Sequence, residues 1–288
     1  EKYWVNMKSI NDSKLPFTVQ NSHATLLETA SVLNLISNIV KRDNELPLYI
    51  SASSPINNSN RLRLSVHSPV TLDAYDINGN HTGKVCPPTT DLCYVEENIP
   101  NSGYYEFGEG KYINVPEDQA KSIKLKGTGI GTFTFESQKV APNGAATTTY
   151  YIEIPVTPQT IAEVAFDAAT HQSKLNVDVN GDGVTDFVIS PQADFDPVLY
   201  LQIMEKTIDS LDLAQSQKNN FDRKIDRIIA LVQKGKLNGA KSKIENMSKM
   251  LVHKLTQPTL KNLKPGKLSK TDAQLLLDML NQLLDNMK

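Results

Sequence analysis

Arg61-Leu62-Arg63-Leu64-Ser65-Val66 places three apolar side chains on one face of an extended segment and three polar ones on the other. That period of two predicts a strand with one buried and one open face. Working outward, the same alternation returns where Phe133 and Phe135 interleave with Thr132 and Thr134. Tyr151-Ile152-Glu153-Ile154 and Ile161-Ala162-Glu163-Val164-Ala165-Phe166 also read as strands. Turn signals separate them: Asn78-Gly79, Asn101-Ser102-Gly103, Gly127-Thr128-Gly129 and Asn143-Gly144. Many short strands, joined by Gly/Asn turns with no helix between them, predict an antiparallel β-sandwich over 61–190.

Beyond Pro191–Pro197 the period becomes helical. Leu199, Ile203, Ile208 and Leu211 mark one helix. Phe221, Ile225, Ile228, Ile229 and Val232 mark a second, which stops at Gly235. Leu237, Ala240, Ile244, Met247, Leu251 and Leu255 mark a third, before Pro258. Leu276, Leu280, Leu283 and Met287 mark a fourth, with Ser269 as its cap and Asp272 in its first turn. Spacings of three and four with short links predict an antiparallel helical bundle over 197–288. The domain order is therefore a strand–loop–helix unit (1–45), a linker (46–60), the β-sandwich (61–190), a second linker (191–196) and the bundle.

The net charge of −2 hides a split. Residues 1–196 hold 14 Lys and Arg against 23 Asp and Glu; residues 197–288 hold 16 against 9. The basic helices are expected either to present solvated faces or to dock on a cell-wall or other anionic surface. No nucleic-acid partner is expected, and no apolar stretch approaches the ~20 residues needed to span a bilayer. Cys86 and Cys93 lack partners at zinc spacing, so a disulfide closing one loop is expected, which would place the chain in an oxidising compartment, secreted or at the cell surface.

Two stretches carry chemistry. Asn21-Ser22-His23-Ala24-Thr25-Leu26-Leu27 follows the apolar run Tyr3-Trp4-Val5 and leads into the helical stripe Leu26, Leu27, Ala30, Leu33, Ile36, Ile39 and Val40. A loop histidine between a strand and a helix is suited to general-base work. The arrangement resembles the C-terminal end of α/β-hydrolases, the lipase-like enzymes related to lecithin–cholesterol acyltransferase and GPI-inositol deacylase. Ser68–Gly83 looks like the sandwich found behind such hydrolases. The resemblance implies that His23 is the last member of a Ser–Asp/Glu–His triad acting on a lipid or ester. It also implies that residues 1–45 are the remnant of an α/β domain in a larger secreted hydrolase. No G-x-S-x-G elbow occurs, so this chain by itself is expected to be inactive. The bundle, through Ile228–Ala240 and Ile244–Met247, resembles the FIVAR/FIMAH-like modules of surface proteins.

The second stretch is Asp178-Val179-Asn180-Gly181-Asp182-Gly183-Val184-Thr185-Asp186. Oxygen donors fall at positions one, three, five and nine, with Val184 at position seven and Gly at six, the first part of a calcium loop. Ile189 stands at position twelve, so the EF-hand glutamate is missing, and the flanks are strand-like. A Ca2+ ion held by Asp178, Asn180, Asp182, Val184 and Asp186 is expected, against the alternative of a plain Gly-rich hairpin turn. Tyr104-Tyr105-Glu106-Phe107 is read as strand core, with sugar stacking as the other use of such rings. These features leave two function classes: an accessory region of a secreted ester hydrolase, and a non-enzymatic, calcium-stabilised surface-binding module.

Overall fold

The computed structural model describes residues 4–5, 30–43, 45–47, 50–51, 59–67, 69–88, 92–166, 173–256 and 266–287. The chain separates into two compact units, Glu1–Asn58 and Ser59–Lys288. In the first, strand β1 (Trp4–Val5) pairs antiparallel with β2 (Ile50–Ser51), and helix α1 spans Ala30–Lys41. The helix carries the expected apolar residues, yet Ile36, Ile39 and Val40 are exposed while Val32 is buried. His23 lies outside the described residues.

In the second unit, alternation delivers two antiparallel sheets. The five-stranded sheet runs β11 (Ala146–Val156), β10 (Gly131–Val140), β3 (Arg61–His67), β8 (Gly110–Pro116), β7 (Gly103–Phe107). The seven-stranded sheet runs β14 (Phe187–Ile189), β13 (Ser173–Asp178), β12 (Ile161–Phe166), β9 (Ser122–Lys126), β4 (Asp73–Tyr75), β5 (His81–Val85), β6 (Tyr94–Glu97). Leu62, Leu64, Val66, Phe133 and Phe135 from the first sheet meet Ala74, Ile123, Leu125, Val164 and Leu175 from the second in one apolar core. This is the sandwich arrangement, and Leu62, Leu64 and Val66 point inward as their period requires. At Asn78-Gly79 the glycine takes φ 81°, and Asp76 accepts from the Asn78 and Asn80 amides, which closes the β4–β5 turn. Gly127 is needed for another reason: a Cβ there would lie 1.9 Å from the Thr157 carbonyl oxygen.

Four helices follow: α2 (Pro197–Ser210), α3 (Gln215–Gln233), α4 (Leu237–Thr256) and α5 (Lys270–Asn286). Ser269 caps α5 by accepting from the Asp272 amide at 3.0 Å. Asp196, which the sequence reading assigns to a linker, caps α2 by accepting from the Val198 and Leu199 amides. Tyr200, Ile225, Ile244, Leu251, Leu276 and Leu280 form a second core, and the buried Tyr200 hydroxyl donates to the Met279 carbonyl at 2.9 Å.

The helices and sheets share one unit because α2 contributes to both cores. Tyr200 and Met204 face the helices, whereas Ile203 is buried in the sandwich core. Asn286 at the end of α5 donates to Glu153 on β11 at 3.2 Å. Deleting buried methylenes costs transfer energy plus a cavity term, so Ile203→Ala is predicted to lose about 2–5 kcal/mol in urea unfolding. Sheet and helix signals should shift together, since one side chain serves both layers.

Candidate functional site

The 178–186 loop closes the β13–β14 hairpin at its junction with α2. Its side-chain oxygens shape the backbone first. Asp178 accepts from Gly181 N–H (2.7 Å) through one oxygen and from Gly183 N–H (2.8 Å) through the other. Asn180 Oδ1 accepts from the Asp182 amide at 3.1 Å, and Asp182 Oδ1 from the Val184 amide at 2.8 Å. Gly181 and Gly183 take φ of 73° and 85°, a left-handed conformation that glycine adopts without strain. Gly181 also packs so closely on the preceding turn that a Cβ would lie 2.7 Å from the Gln159 carbonyl.

Asp186 differs from the other donors. Its Oδ2 accepts from the Val179 amide at 2.9 Å, and its Oδ1 pairs with Lys206 Nζ of α2 at 2.8 Å. Asp182 and Asp209 add to the field that favours the charged Lys206, whose pKa is raised chiefly by its hydrogen bond to Asp186. Among the described residues, no three His, Cys, Asp or Glu side chains converge as metal ligands. Backbone N–H groups hold Asp178, a backbone N–H and the Asn180 side-chain amide (3.0 Å, to Oδ2) hold Asp182, and Lys206 holds Asp186 together with the Val179 amide. The donor set suits a hard, oxygen-seeking cation. To coordinate one through Asp186, the loop would have to displace the Lys206 ammonium.

Two clusters escaped the sequence reading. On the seven-stranded sheet, His81 Nδ1 lies 2.9 Å from Glu96 Oε2 and His81 Nε2 lies 3.0 Å from Asp73 Oδ1. An imidazole so placed donates to both carboxylates only when both ring nitrogens carry protons. Gly83 makes room for the bridge, since a Cβ there would lie 2.5 Å from Asp73 Oδ1. The bridge staples β4, β5 and β6, and the Cys86–Cys93 disulfide closes the hairpin at the other end of β5.

The other cluster lies between α2 and α3, where Glu205 and Asp209 face Asp222 and Asp226. Desolvation and then the charges of Asp226, Asp222 and Asp209 push the Glu205 carboxyl up to about 7. Asp222 is raised for the same reasons, and its buried Oδ1 has no hydrogen-bond partner.

Aromatic residues complete the inventory. Tyr104 is core as expected, but Tyr105 and Phe107 point out of the five-stranded sheet, with Phe107 69% exposed. The reading of Tyr104–Phe107 as core is therefore corrected for alternate residues, because successive strand side chains take opposite faces. Compared with known proteins, the chain matches no family model, no curated protein and no solved structure. The geometry must therefore carry the functional reading. None of the helices among the described residues is long and apolar enough to cross a membrane.

Glu205 generates a pH prediction. Its folded pKa lies above the ordinary 4.5, so its contribution to stability is full below about pH 4.5 and is lost as pH rises towards about 7. Glu205→Gln removes the ionisable group. It should stabilise the protein at pH 8 by on the order of 1 kcal/mol after solvent screening, roughly 2–4 °C in Tm, and change little at pH 4. Thermal melts of both proteins at the two pH values check the sign.

Proposed function

We propose that Ser59–Lys288 is a non-catalytic attachment module that holds a secreted or surface protein to a polysaccharide. The observation that carries this reading is the outer face of the five-stranded sheet, where Tyr105, Phe107, Tyr112 and His67 stand on three adjacent strands, β7, β8 and β3. Large apolar groups left on a sheet face, away from the core, mark a binding surface. The Cys86–Cys93 bridge supports an oxidising compartment. On this reading the attachment surface is the sheet, and the basic helices present solvated faces, one of the two uses that their charge allows.

The 178–186 loop is proposed as a calcium brace between the sandwich and α2. Alternate oxygens on a tight Gly turn support it, and so does the hold of Asp186 on Lys206 at the same junction. The hydrolase role proposed for His23 rests on the sequence resemblance of residues 1–45, with Ser68–Gly83 as the sandwich that follows such enzymes. In that reading the attachment module would keep an ester hydrolase, and its lipid or ester substrate, at the same surface.

Two experiments test the proposal. The full chain should co-sediment with insoluble polysaccharide particles (cellulose, chitin and crosslinked polyuronate in turn), and Phe107→Ala with Tyr112→Ala should return it to the supernatant. Equal sedimentation of wild type and double variant would sink the attachment role of this face. Separately, about 10 mM calcium should stabilise the chain by about 1–3 kcal/mol over chelator, as expected for a weak extracellular site. Asp178→Asn with Asp182→Asn should abolish that gain, and Lys206→Met should raise calcium affinity by removing the competing ammonium. A melting temperature indifferent to calcium would remove the brace.

A further inference from the structure

We propose that the outer face of the five-stranded sheet binds an acidic polysaccharide, stacking its sugar rings on Tyr105, Phe107 and Tyr112 and pairing its carboxylates with Arg63 and Arg61. This deepens the attachment reading and rests on it. Three observations carry it: how the rings lie, where the arginines stand, and what surrounds them.

Two of the tyrosine rings reach over glycines of their own strands. Tyr112 folds over Gly110 of its own strand, so closely that a Cβ at Gly110 would sit 2.6 Å from Tyr112 Oη and 3.0 Å from the ring carbon Cε2. Tyr105 lies over Gly103 in the same way, with a Cβ there 3.2 Å from Tyr105 Oη. Tyr105 and Tyr112 are directly paired across β7 and β8. Phe107 and Tyr112 have ring centroids 6.0 Å apart, and His67 meets the edge of Tyr112 at 6.4 Å. The hydroxyl ends of both tyrosines thus lie over glycines of their own strands, and Tyr105 and Phe107 are exposed on this face. The negative face of an aromatic ring attracts the weakly positive C–H groups on the flat side of a pyranose.

Next to this platform, β3 carries two guanidiniums on the same outward face. Arg61 donates through Nε to Asn114 Oδ1 and through Nη2 to the Asn101 carbonyl, both at 2.6 Å, so it is held in place. Arg63 is exposed and makes no ion pair among the described residues. The register leaves both charges without a carboxylate opposite: Arg63 faces Asn114 and Gln138, and Arg61 faces Pro116 and Val140. Glu136, the acid on this face of β10, is opposite Ser65. Burial first, and then the Arg63 charge, hold Arg61 below its ordinary pKa against an opposing pull from Tyr105. Planar guanidinium groups bind carboxylates in pairs of parallel hydrogen bonds. Aromatic faces flanked by uncompensated guanidiniums and by the amides of Asn114 and Gln138 match a chain of uronic-acid rings. A neutral glycan would leave the arginines unused, and an apolar protein partner would bury them unpaired.

The test is calorimetric titration of the full chain, in calcium-free buffer, with a tetramer of galacturonic acid and with cellotetraose as its neutral counterpart. The acidic tetramer should bind at least about tenfold more tightly, and Phe107→Ala and Arg63→Ala should each weaken it by about tenfold. Gly110→Ala, which touches no ligand, should weaken it too by lifting the Tyr112 ring. Melting curves of the variants show that the fold is kept. Equal affinity for both tetramers, with the platform variants still weakening it, would overturn the acidic assignment and leave the attachment reading standing. Binding of neither tetramer would overturn the inference, and together with failure to sediment with any polysaccharide it would overturn both. Self-association that Phe107→Ala abolishes, seen in sedimentation velocity, would overturn it in favour of a second copy on this face.

Discussion

Everything in Ser59–Lys288 depends on the apolar layer between the two sheets, and on Ile203 reaching into it from outside. By sending Ile203 into that core and Tyr200 and Met204 the other way, α2 binds sandwich and helices into one folding unit. The polar contacts at the same junction, Lys206 with Asp186 and Asn286 with Glu153, fix the orientation that the apolar contact makes favourable. The Asp186 carboxylate is nearly buried in its pair with Lys206, so the bond fixes the geometry of the junction.

That arrangement frees the opposite edge of the five-stranded sheet. The helices contact β10 and β11, whereas Tyr105, Phe107 and Tyr112 lie on β7 and β8, across the sheet. The outer face there carries large rings and two arginines, with two glycines beneath the hydroxyl ends of its tyrosines. Glycine weakens a strand, so two of them under rings are better explained by the surface they create than by stability.

The sequence was legible where one physical rule decides the outcome. Strands such as Arg61–Val66 have one wet face, so their period gave both the element and its orientation. Ser269 and Asp272 announced the start of α5 because capping is local. Asp196 was not read as a cap because it sits among turn residues, and only the helix after it shows its role. In Tyr104-Tyr105-Glu106-Phe107 both faces hold an aromatic, so the period is silent; the glycines at 103 and 110, each two residues before a tyrosine, were the available signal. The His81 bridge and the Glu205 cluster join residues from different elements, which no spacing along one chain encodes. The calcium loop was legible as a pattern of oxygens, but the lysine that competes for Asp186 comes from the following helix.

The central claim is that this protein meets its partner through the outer face of β3, β7 and β8. An amide and side-chain NMR titration with an oligouronate tests that most directly, because it reports where contact occurs independently of affinity. Shifts confined to Arg61–His67, Gly103–Phe107 and Gly110–Asn114, with the helices silent, are the predicted result. Shifts concentrated on the lysines of α4, with Phe107 and Tyr112 unmoved, would contradict it and return the binding surface to the basic helices.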